Sequence, residues 1–232
     1  MRPTRGLTVA LLAGLALVVG WAPAYAQCGP GAHWIDNCPT GTDIFDSFAQ
    51  HGTVVINGVG QFPLAPMTGP VTIFRGPGLT IPDHHIDTEL VSMTLTGGGL
   101  TLTAGDGVGN LLADGPLHSG GRITETGNPG LADSFFDIFF ELSPTPLGPL
   151  HSLHPCHMQA IIDRVPPYEI PYSGCGGPIP LADQHGQVVG FLQSDPPVIH
   201  VPHRPVPEPS TMLLVGAGFT GLVATWRRRP QK

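Results

Sequence analysis

The fold class of this chain is decided by one stretch, Glu89-Leu90-Val91-Ser92-Met93-Thr94-Leu95-Thr96-Gly97-Gly98-Gly99-Leu100-Thr101-Leu102-Thr103. In residues 89–96 the side chains alternate between two faces, with Leu90, Ser92, Thr94 and Thr96 on one and Val91, Met93 and Leu95 on the other. Alternation with a period of two is the pattern of a β-strand. Three glycines then turn the chain, and residues 100–103 alternate again. The stretch therefore predicts a β-hairpin.

Short apolar runs between turn residues continue this pattern through the body of the chain. The 32 glycines and 27 prolines are spread among them, and helix-period segments capped at both ends are absent from the sequence. Further strands are predicted at residues 43–48, 53–56, 71–75, 122–126, 134–142, 157–165 and 187–192. Residues 134–142 are nearly continuous Phe and Ile, which predicts a central strand buried on both faces.

The spacing of these runs predicts a single all-β domain over residues 27–195. About eight or nine short strands favour a β-sandwich or jelly-roll architecture, and a barrel is the alternative. A domain of this length is large enough to bury a hydrophobic core of its own. The proline-rich residues 196–206 that follow are predicted to form an extended, semi-rigid linker.

The N-terminus carries the pattern of a secretory signal peptide. Arg2 and Arg5 form a positive region, and an apolar run follows over residues 7–20. Ala24-Tyr25-Ala26 fits the small-x-small cleavage rule. Residues 1–26 are therefore predicted to be removed on export, with Gln27 as the first mature residue.

The last 26 residues combine a polar motif, an apolar segment and a basic cluster. The motif is Pro207-Glu208-Pro209-Ser210, the apolar segment covers residues 211–226, and the cluster is Arg227, Arg228 and Arg229. Sixteen residues in a helix span roughly 24 Å, slightly less than the hydrocarbon core of a bilayer. Arginines directly after an apolar span mark the cytoplasmic side of a membrane. Residues 207–232 are therefore predicted to contain a single apolar helix that anchors the C-terminus.

This tail resembles the PEP-CTERM sorting signal of Gram-negative bacteria in the order of its motif, apolar segment and arginines. The resemblance implies that an exosortase, a membrane enzyme similar to cysteine transpeptidases, processes the chain at the motif. It also implies an exported protein that is held at the membrane before processing and then reaches the cell surface or extracellular matrix. Proteins with this signal are associated with biofilm and exopolysaccharide, which is an implied partner. The resemblance transfers sorting alone, because unrelated cargo shares the tail.

Between the two targeting segments the chain is strongly acidic. Residues 27–208 hold all 17 acidic residues and only four arginines, with no lysine, for a formal net charge of −13. Such a surface repels nucleic acid and anionic lipid, so nucleic acid is not a predicted partner. The acidity serves solubility and no cofactor is predicted, although calcium is the ion that such a surface favours.

Four cysteines, Cys28, Cys38, Cys156 and Cys175, lie in the exported part of the chain. An oxidising compartment predicts that they form disulfides, and four cysteines allow three pairings. Proximity in the sequence favours Cys28–Cys38 and Cys156–Cys175, each of which closes a short loop.

Two histidine clusters are the candidates for metal chemistry. The candidate ligands are His84, His85, His151, His154 and His157. Imidazoles at this spacing can bind zinc or copper where a loop brings them together, since alternate residues of a strand face opposite ways. The alternatives are a polar strand entry and a histidine-rich surface loop, and a disulfide at Cys156 removes the best ligand of the second cluster.

No catalytic constellation is evident in the sequence. Ser119 does not lie in a Gly-x-Ser-x-Gly nucleophile elbow, and cysteines in disulfides supply no free thiol. The sequence therefore predicts a non-enzymatic exported protein of the cell surface or exopolysaccharide matrix. One alternative is a polysaccharide- or calcium-binding module that uses Trp34, Tyr168 and Tyr172 as exposed aromatic residues. Another is a secreted metal-dependent enzyme built on the histidine clusters.

Overall fold

The computed structural model describes residues 28–50, 52–105, 118–193 and 198–203. These residues form fifteen β-strands, which confirms the all-β fold class. The strands are β1 (Gly41–Gln50), β2 (Thr53–Ile56), β3 (Gly60–Pro63), β4 (Met67–Arg75), β5 (His85–Gly97), β6 (Leu100–Gly105), β7 (Gly120–Glu125), β8 (Ala132–Ile138), β9 (Phe140–Ser143), β10 (Leu150–Ser152), β11 (Cys156–Ile162), β12 (Tyr172–Gly174), β13 (Ile179–Ala182), β14 (Val188–Gln193) and β15 (Val198–His203). Within this part of the chain no helix is long and apolar enough to cross a membrane. The predicted signal peptide and C-terminal helix lie outside the described residues.

The strands form one continuous antiparallel sheet that closes on itself. Eight of them make a ring in the order β5-β4-β1-β15-β12-β11-β8-β7, and β7 pairs with β5 to complete it. The other seven extend the sheet from β5 in the order β6-β9-β10-β13-β14-β2-β3. β5 is long enough to serve both parts, since its residues up to Glu89 pair with β7 and those from Ser92 pair with β6. Closure of the ring is the arrangement that the barrel alternative expected.

The predicted hairpin is confirmed as the β5–β6 pair. Gly97 lies opposite Leu100, so Gly98 and Gly99 form a two-residue turn. Their φ angles of 58° and 80° lie in the left-handed region, where glycine lacks the steric penalty of other residues. Two positive φ angles are the requirement of a type I′ turn, whose twist matches that of the flanking strands.

A β-bulge in β5 corrects the predicted alternation of this strand. Thr72 on β4 pairs with Ser92, whereas Ile73 pairs with Leu90, so Val91 is an extra residue. An extra residue shifts the side-chain phase of the strand by one position. The buried apolar side chains in this stretch are therefore Leu90, Met93 and Leu95. The prediction that Leu90 shares the face of Ser92 is wrong for this reason.

The strand predicted over residues 134–142 is two strands. β8 ends at Ile138 and β9 begins at Phe140, with Phe139 outside both. At the break, serine hydroxyls take the place of the backbone hydrogen bonds between strands. Ser119 Oγ accepts from Phe139 N at 3.0 Å, and Ser152 Oγ accepts from Phe140 N at 2.9 Å. Burial alternates along β8, so the prediction of a strand buried on both faces is also wrong.

The proline-rich segment after residue 195 contributes a strand to the ring. β15 pairs with β1 from Gln50 opposite Ile199 to Asp46 opposite His203, and with β12 on its other side. Pro202 is tolerated because β12 pairs only as far as His200. The linker predicted over residues 196–206 is therefore corrected, since the folded domain extends to His203.

Disulfides and small cavities complete the interior. Cys28–Cys38 and Cys156–Cys175 are the two disulfides, which confirms the favoured pairing. Two cavities lined by core side chains measure about 60 Å³ and about 40 Å³. Both are far smaller than the roughly 300 Å³ at which small-molecule sites begin. Both spaces are lined mainly by apolar side chains of the interior.

Candidate functional site

The N-terminal loop closed by the Cys28–Cys38 disulfide presents the first residues of the candidate site. Trp34 and Ile35 turn inward from this loop and are buried. Cys28 exchanges two backbone hydrogen bonds of 2.9 Å with Val165, which ties the loop to the body. With its apolar side chains inside and its ends fixed, the loop leaves His33 and Asp36 on its outer side.

Arg75 contacts the disulfide of this N-terminal loop from inside the domain. This arginine is buried at the end of β4, and its Nη1 donates to Cys28 Sγ at 3.0 Å and to Cys38 Sγ at 3.1 Å. Its Nη2 lies 3.4 Å from Oδ1 of buried Asp43. Burial raises the pKa of Asp43, and the positive charge of Arg75 opposes that rise. The Cys28–Cys38 disulfide is therefore packed against a buried ion pair, Arg75 and Asp43.

His33, His84 and Glu125 come together beside this loop. One ligand atom from each lies within 4.8 Å of the other two. Glu125 Oε2 is 3.1 Å from His33 Nδ1 and 3.9 Å from His84 Nδ1. The two imidazole rings have centroids 5.3 Å apart. We call these three residues the His-His-Glu cluster.

Backbone contacts position the cluster. Glu125 is the last residue of β7, and its N–H donates to the carbonyl of His84 at 2.8 Å. The N–H of His33 donates to Glu125 Oε1 at 3.3 Å. His33 has a φ of 54°, a left-handed conformation that few non-glycine residues adopt. Three segments far apart in the sequence are thus joined at a single carboxylate.

Asp36 is the fourth polar residue at this place. Its Oδ1 lies 2.6 Å from His84 Nδ1. This hydrogen bond raises the pKa of His84, and the negative charges of Asp36, Glu125 and Asp83 act in the same direction. Two imidazoles with adjacent carboxylates form a nitrogen and oxygen donor set that can hold a transition-metal ion or exchange protons.

Of the five histidines predicted as metal ligands, His84 alone belongs to the His-His-Glu cluster. His85 is buried next to it, with Nδ1 2.8 Å from Asp83 Oδ1. His151 and His157 pair with different carboxylates, Glu141 at 3.6 Å and Asp137 at 2.8 Å. His154 is exposed in the loop between β10 and β11. Among the described residues, His151, His154 and His157 do not form a ligand group with one another.

Sequence reasoning missed His33 and Glu125 because they are 92 positions apart. Glu125 is a strand end with no histidine near it in the sequence, and His33 is isolated within the cysteine loop. The predicted clusters were local, whereas this one depends on strand pairing between β5 and β7. The one sequence feature that could have indicated this site is the pair of polar residues, His33 and Asp36, within the short loop between Cys28 and Cys38.

Two of the aromatic residues predicted to be exposed are buried. Trp34 donates from Nε1 to the carbonyl of Gly130 at 3.3 Å, and Tyr172 donates its hydroxyl to Ser134 Oγ at 2.8 Å. Burial raises the pKa of Tyr172. Tyr168 is partly buried. The predicted role of Trp34 and Tyr172 as exposed sugar-binding residues is therefore wrong, because both lie in the core.

Comparison with known proteins bears on the tail and on the fold. No curated protein matches the chain in sequence. A solved structure with a similar fold is that of DynF from the dynemicin biosynthesis pathway of Micromonospora chersina. It has 21% sequence identity and a TM-score of 0.61, over 81% of this chain and 89% of that chain, which shows the fold alone.

Residues 205–229 match the family described as the PEP-CTERM protein-sorting motif. The chain therefore carries a PEP-CTERM signal at its C-terminus, which marks an exported protein that an exosortase processes at the membrane.

Proposed function

We propose that this protein is a non-enzymatic component of the cell surface or exopolysaccharide matrix, delivered there by its C-terminal signal. The observation that carries the proposal is the PEP-CTERM match over residues 205–229. The signal-peptide pattern of residues 1–26 supports export from the other end of the chain.

The chemistry of the body supports a structural or binding role. All four cysteines are paired in disulfides. The Ser119 hydroxyl is engaged by the backbone of Phe139, both as acceptor and as donor. The acidic, lysine-free surface keeps such a domain soluble at high local concentration. The four cysteines and Ser119 thus stabilise the fold and are not free for covalent catalysis.

Cell fractionation tests the sorting step. Three chains are expressed in a Gram-negative host that contains the exosortase: the full-length protein, a chain truncated before residue 205, and a variant with Pro207, Glu208 and Pro209 replaced by alanine. We expect the full-length protein at the surface or in the matrix without its tail, and the truncated chain in the medium. The alanine variant is the matched control, since it keeps the apolar segment and the arginines, and it should remain uncleaved in the membrane. Identical distribution of all three chains would refute the sorting proposal.

Polysaccharide binding is a second candidate function, favoured by an open groove lined by residues of β4, β5 and β7. Exposed Phe74 lies there beside Asp87, Glu89 and His118 in a volume of about 460 Å³. An aromatic ring offers an apolar contact surface, and carboxylates accept hydrogen bonds from sugar hydroxyls. The groove supplies the exposed aromatic residue that Trp34 does not.

A glycan array tests this second candidate. The protein is applied with calcium and with chelator, together with the variants Phe74→Ala and Ile161→Ala. Ile161 is also exposed but lies on β11, away from the groove, and is the matched control. Binding that is lost in Phe74→Ala and kept in Ile161→Ala would support the groove. Absence of any signal in both conditions would remove polysaccharide binding from consideration.

A further inference from the structure

We propose that the His-His-Glu cluster binds a divalent transition metal of the zinc class, and that the bound ion cross-links the N-terminal disulfide loop to the end of β7. The ligands are His33, His84 and Glu125, which one ion can contact together. This inference is independent of the sorting proposal, because it concerns the folded body alone.

The distances between the ligand atoms fit a tetrahedral ion. Zinc binds nitrogen and carboxylate oxygen at about 2.0–2.2 Å, so neighbouring ligands of a tetrahedron lie about 3.3 Å apart. Glu125 Oε2 is 3.1 Å from His33 Nδ1, close to that edge, and a ligand atom of His84 lies within 4.8 Å of a ligand atom of each. Because Nδ1 of His84 is engaged by Asp36, the other ring nitrogen, Nε2, is the one that would bind the ion.

The donor set selects the class of metal. Two imidazoles and one carboxylate suit zinc and copper, whereas calcium takes six to eight oxygen ligands. The acidic surface taken alone favours calcium, but the cluster contains two nitrogen donors. Zinc is therefore the ion that we expect here, and calcium should not compete with it.

The cluster is held in place before any ion binds. The disulfide fixes the loop that carries His33, and the N–H of His33 donates to Glu125 Oε1. The carboxylate of Asp36 lies 2.6 Å from Nδ1 of His84 and fixes the orientation of that ring. A carboxylate behind a ligating histidine is a common arrangement around zinc. Asp36 is thus a positioning residue rather than one of the three ligands.

The cluster is open to ions from the medium. The side chains of His33 and His84 are 65% and 40% exposed, whereas that of Glu125 is 11% exposed. An ion can therefore approach from the imidazole side and meet the carboxylate beneath. Bound there, it would connect two segments that are joined otherwise by hydrogen bonds, so binding should raise thermal stability.

Zinc titration of the full chain, purified in detergent and stripped with chelator, tests the proposal. A chromogenic chelator competes for the ion, and the stoichiometry and affinity are measured for the wild type and for His33→Ala, His84→Ala and Glu125→Gln. The matched controls are His157→Ala and His203→Ala, which remove exposed histidines that each face one carboxylate. We expect one tightly bound zinc per chain in the wild type and both controls.

Each ligand variant should bind zinc on the order of 100-fold more weakly, and Asp36→Asn about tenfold to 100-fold more weakly. Thermal unfolding in chelator separates loss of the site from loss of the fold, since the variants should then unfold near the wild-type temperature. Zinc should raise the unfolding temperature of the wild type and of His157→Ala but not that of His33→Ala. Calcium should not raise the unfolding temperature of any of the three proteins. Failure of the wild type to bind one zinc, or equal affinity in the ligand variants and the controls, would overturn the proposal.

Discussion

Replacement of Arg75 by methionine should lower the free energy of unfolding by about 3–5 kcal/mol, because it leaves a buried carboxylate without its countercharge. Arg75 and Asp43 are 1% and 5% exposed, and the charged groups approach to 3.4 Å. An exposed pair would be worth only about 0–1 kcal/mol. The larger value applies here because Asp43 cannot recover its hydration in the folded state. Methionine keeps much of the length of arginine but donates no hydrogen bond to the disulfide sulfurs.

A double variant separates the charge effect from the packing effect. Arg75→Met combined with Asp43→Val removes both charges, and replacement of a whole buried ion pair by apolar residues is often close to neutral. We therefore expect the double variant to recover at least half of the stability that Arg75→Met loses.

The loss should also depend on pH. Burial already raises the pKa of Asp43 above its usual 3.8, and the charge of Arg75 limits that rise. Without Arg75 the folded state holds the Asp43 proton more tightly than the unfolded state does, so stability falls as pH rises above about 4. The defect of Arg75→Met should thus be smallest in acid and largest near neutrality. The double variant should lack this part of the pH dependence.

Urea unfolding of the exosortase-processed protein, with the disulfides intact, measures these differences. Fluorescence of buried Trp34, which lies in the loop above Arg75, and far-ultraviolet circular dichroism should give one transition if unfolding is two-state. Equal m-values justify direct comparison of the free energies. A loss below about 1 kcal/mol in Arg75→Met, or a double variant as unstable as the single, would show that the buried-pair reasoning is wrong.

Two further predictions concern backbone contacts in the sheet. Ser119→Ala should cost about 0.5–1.5 kcal/mol in urea unfolding, because the part-buried N–H of Phe139 loses its acceptor; an unchanged midpoint would mean that another group satisfies it. Gly69→Ala should cost at least about 1–3 kcal/mol, because its new Cβ would meet the carbonyl oxygen of Thr94 and force β4 away from β5. Gly127→Ala, which adds a methyl group in open space, is the control and should leave the midpoint unchanged.

Features set by neighbours in the sequence could be predicted. The alternation of residues 89–103 with its glycines specified the β5–β6 hairpin, since a two-residue turn and its strands are local. The disulfide pairing was also local, with separations of 10 and 19 residues. The short strands β3, β10, β12 and β13 have too few residues to show a period and were not predicted.

Features set by distant pairing could not be predicted. The bulge at Val91 arises where β5 changes partner from β7 to β6, and nothing in its own residues marks that exchange. The segment of β15 was predicted to be a linker because Pro202 and the prolines on either side of the strand disfavour β structure. Pairing of β15 with β1 and β12 outweighs that preference. The His-His-Glu cluster required the same long-range information, because its members come from a loop, a strand entry and a strand end.

The position of β15 sets how close the processing enzyme must come to the folded protein. β15 ends at His203, and the sorting motif begins at Pro207. Four residues span at most about 14 Å even when fully extended. An exosortase that acts at this motif would therefore meet the folded sheet within about 14 Å of its target residues, so the shape and the acidic charge of the folded domain would be part of what the enzyme has to accommodate.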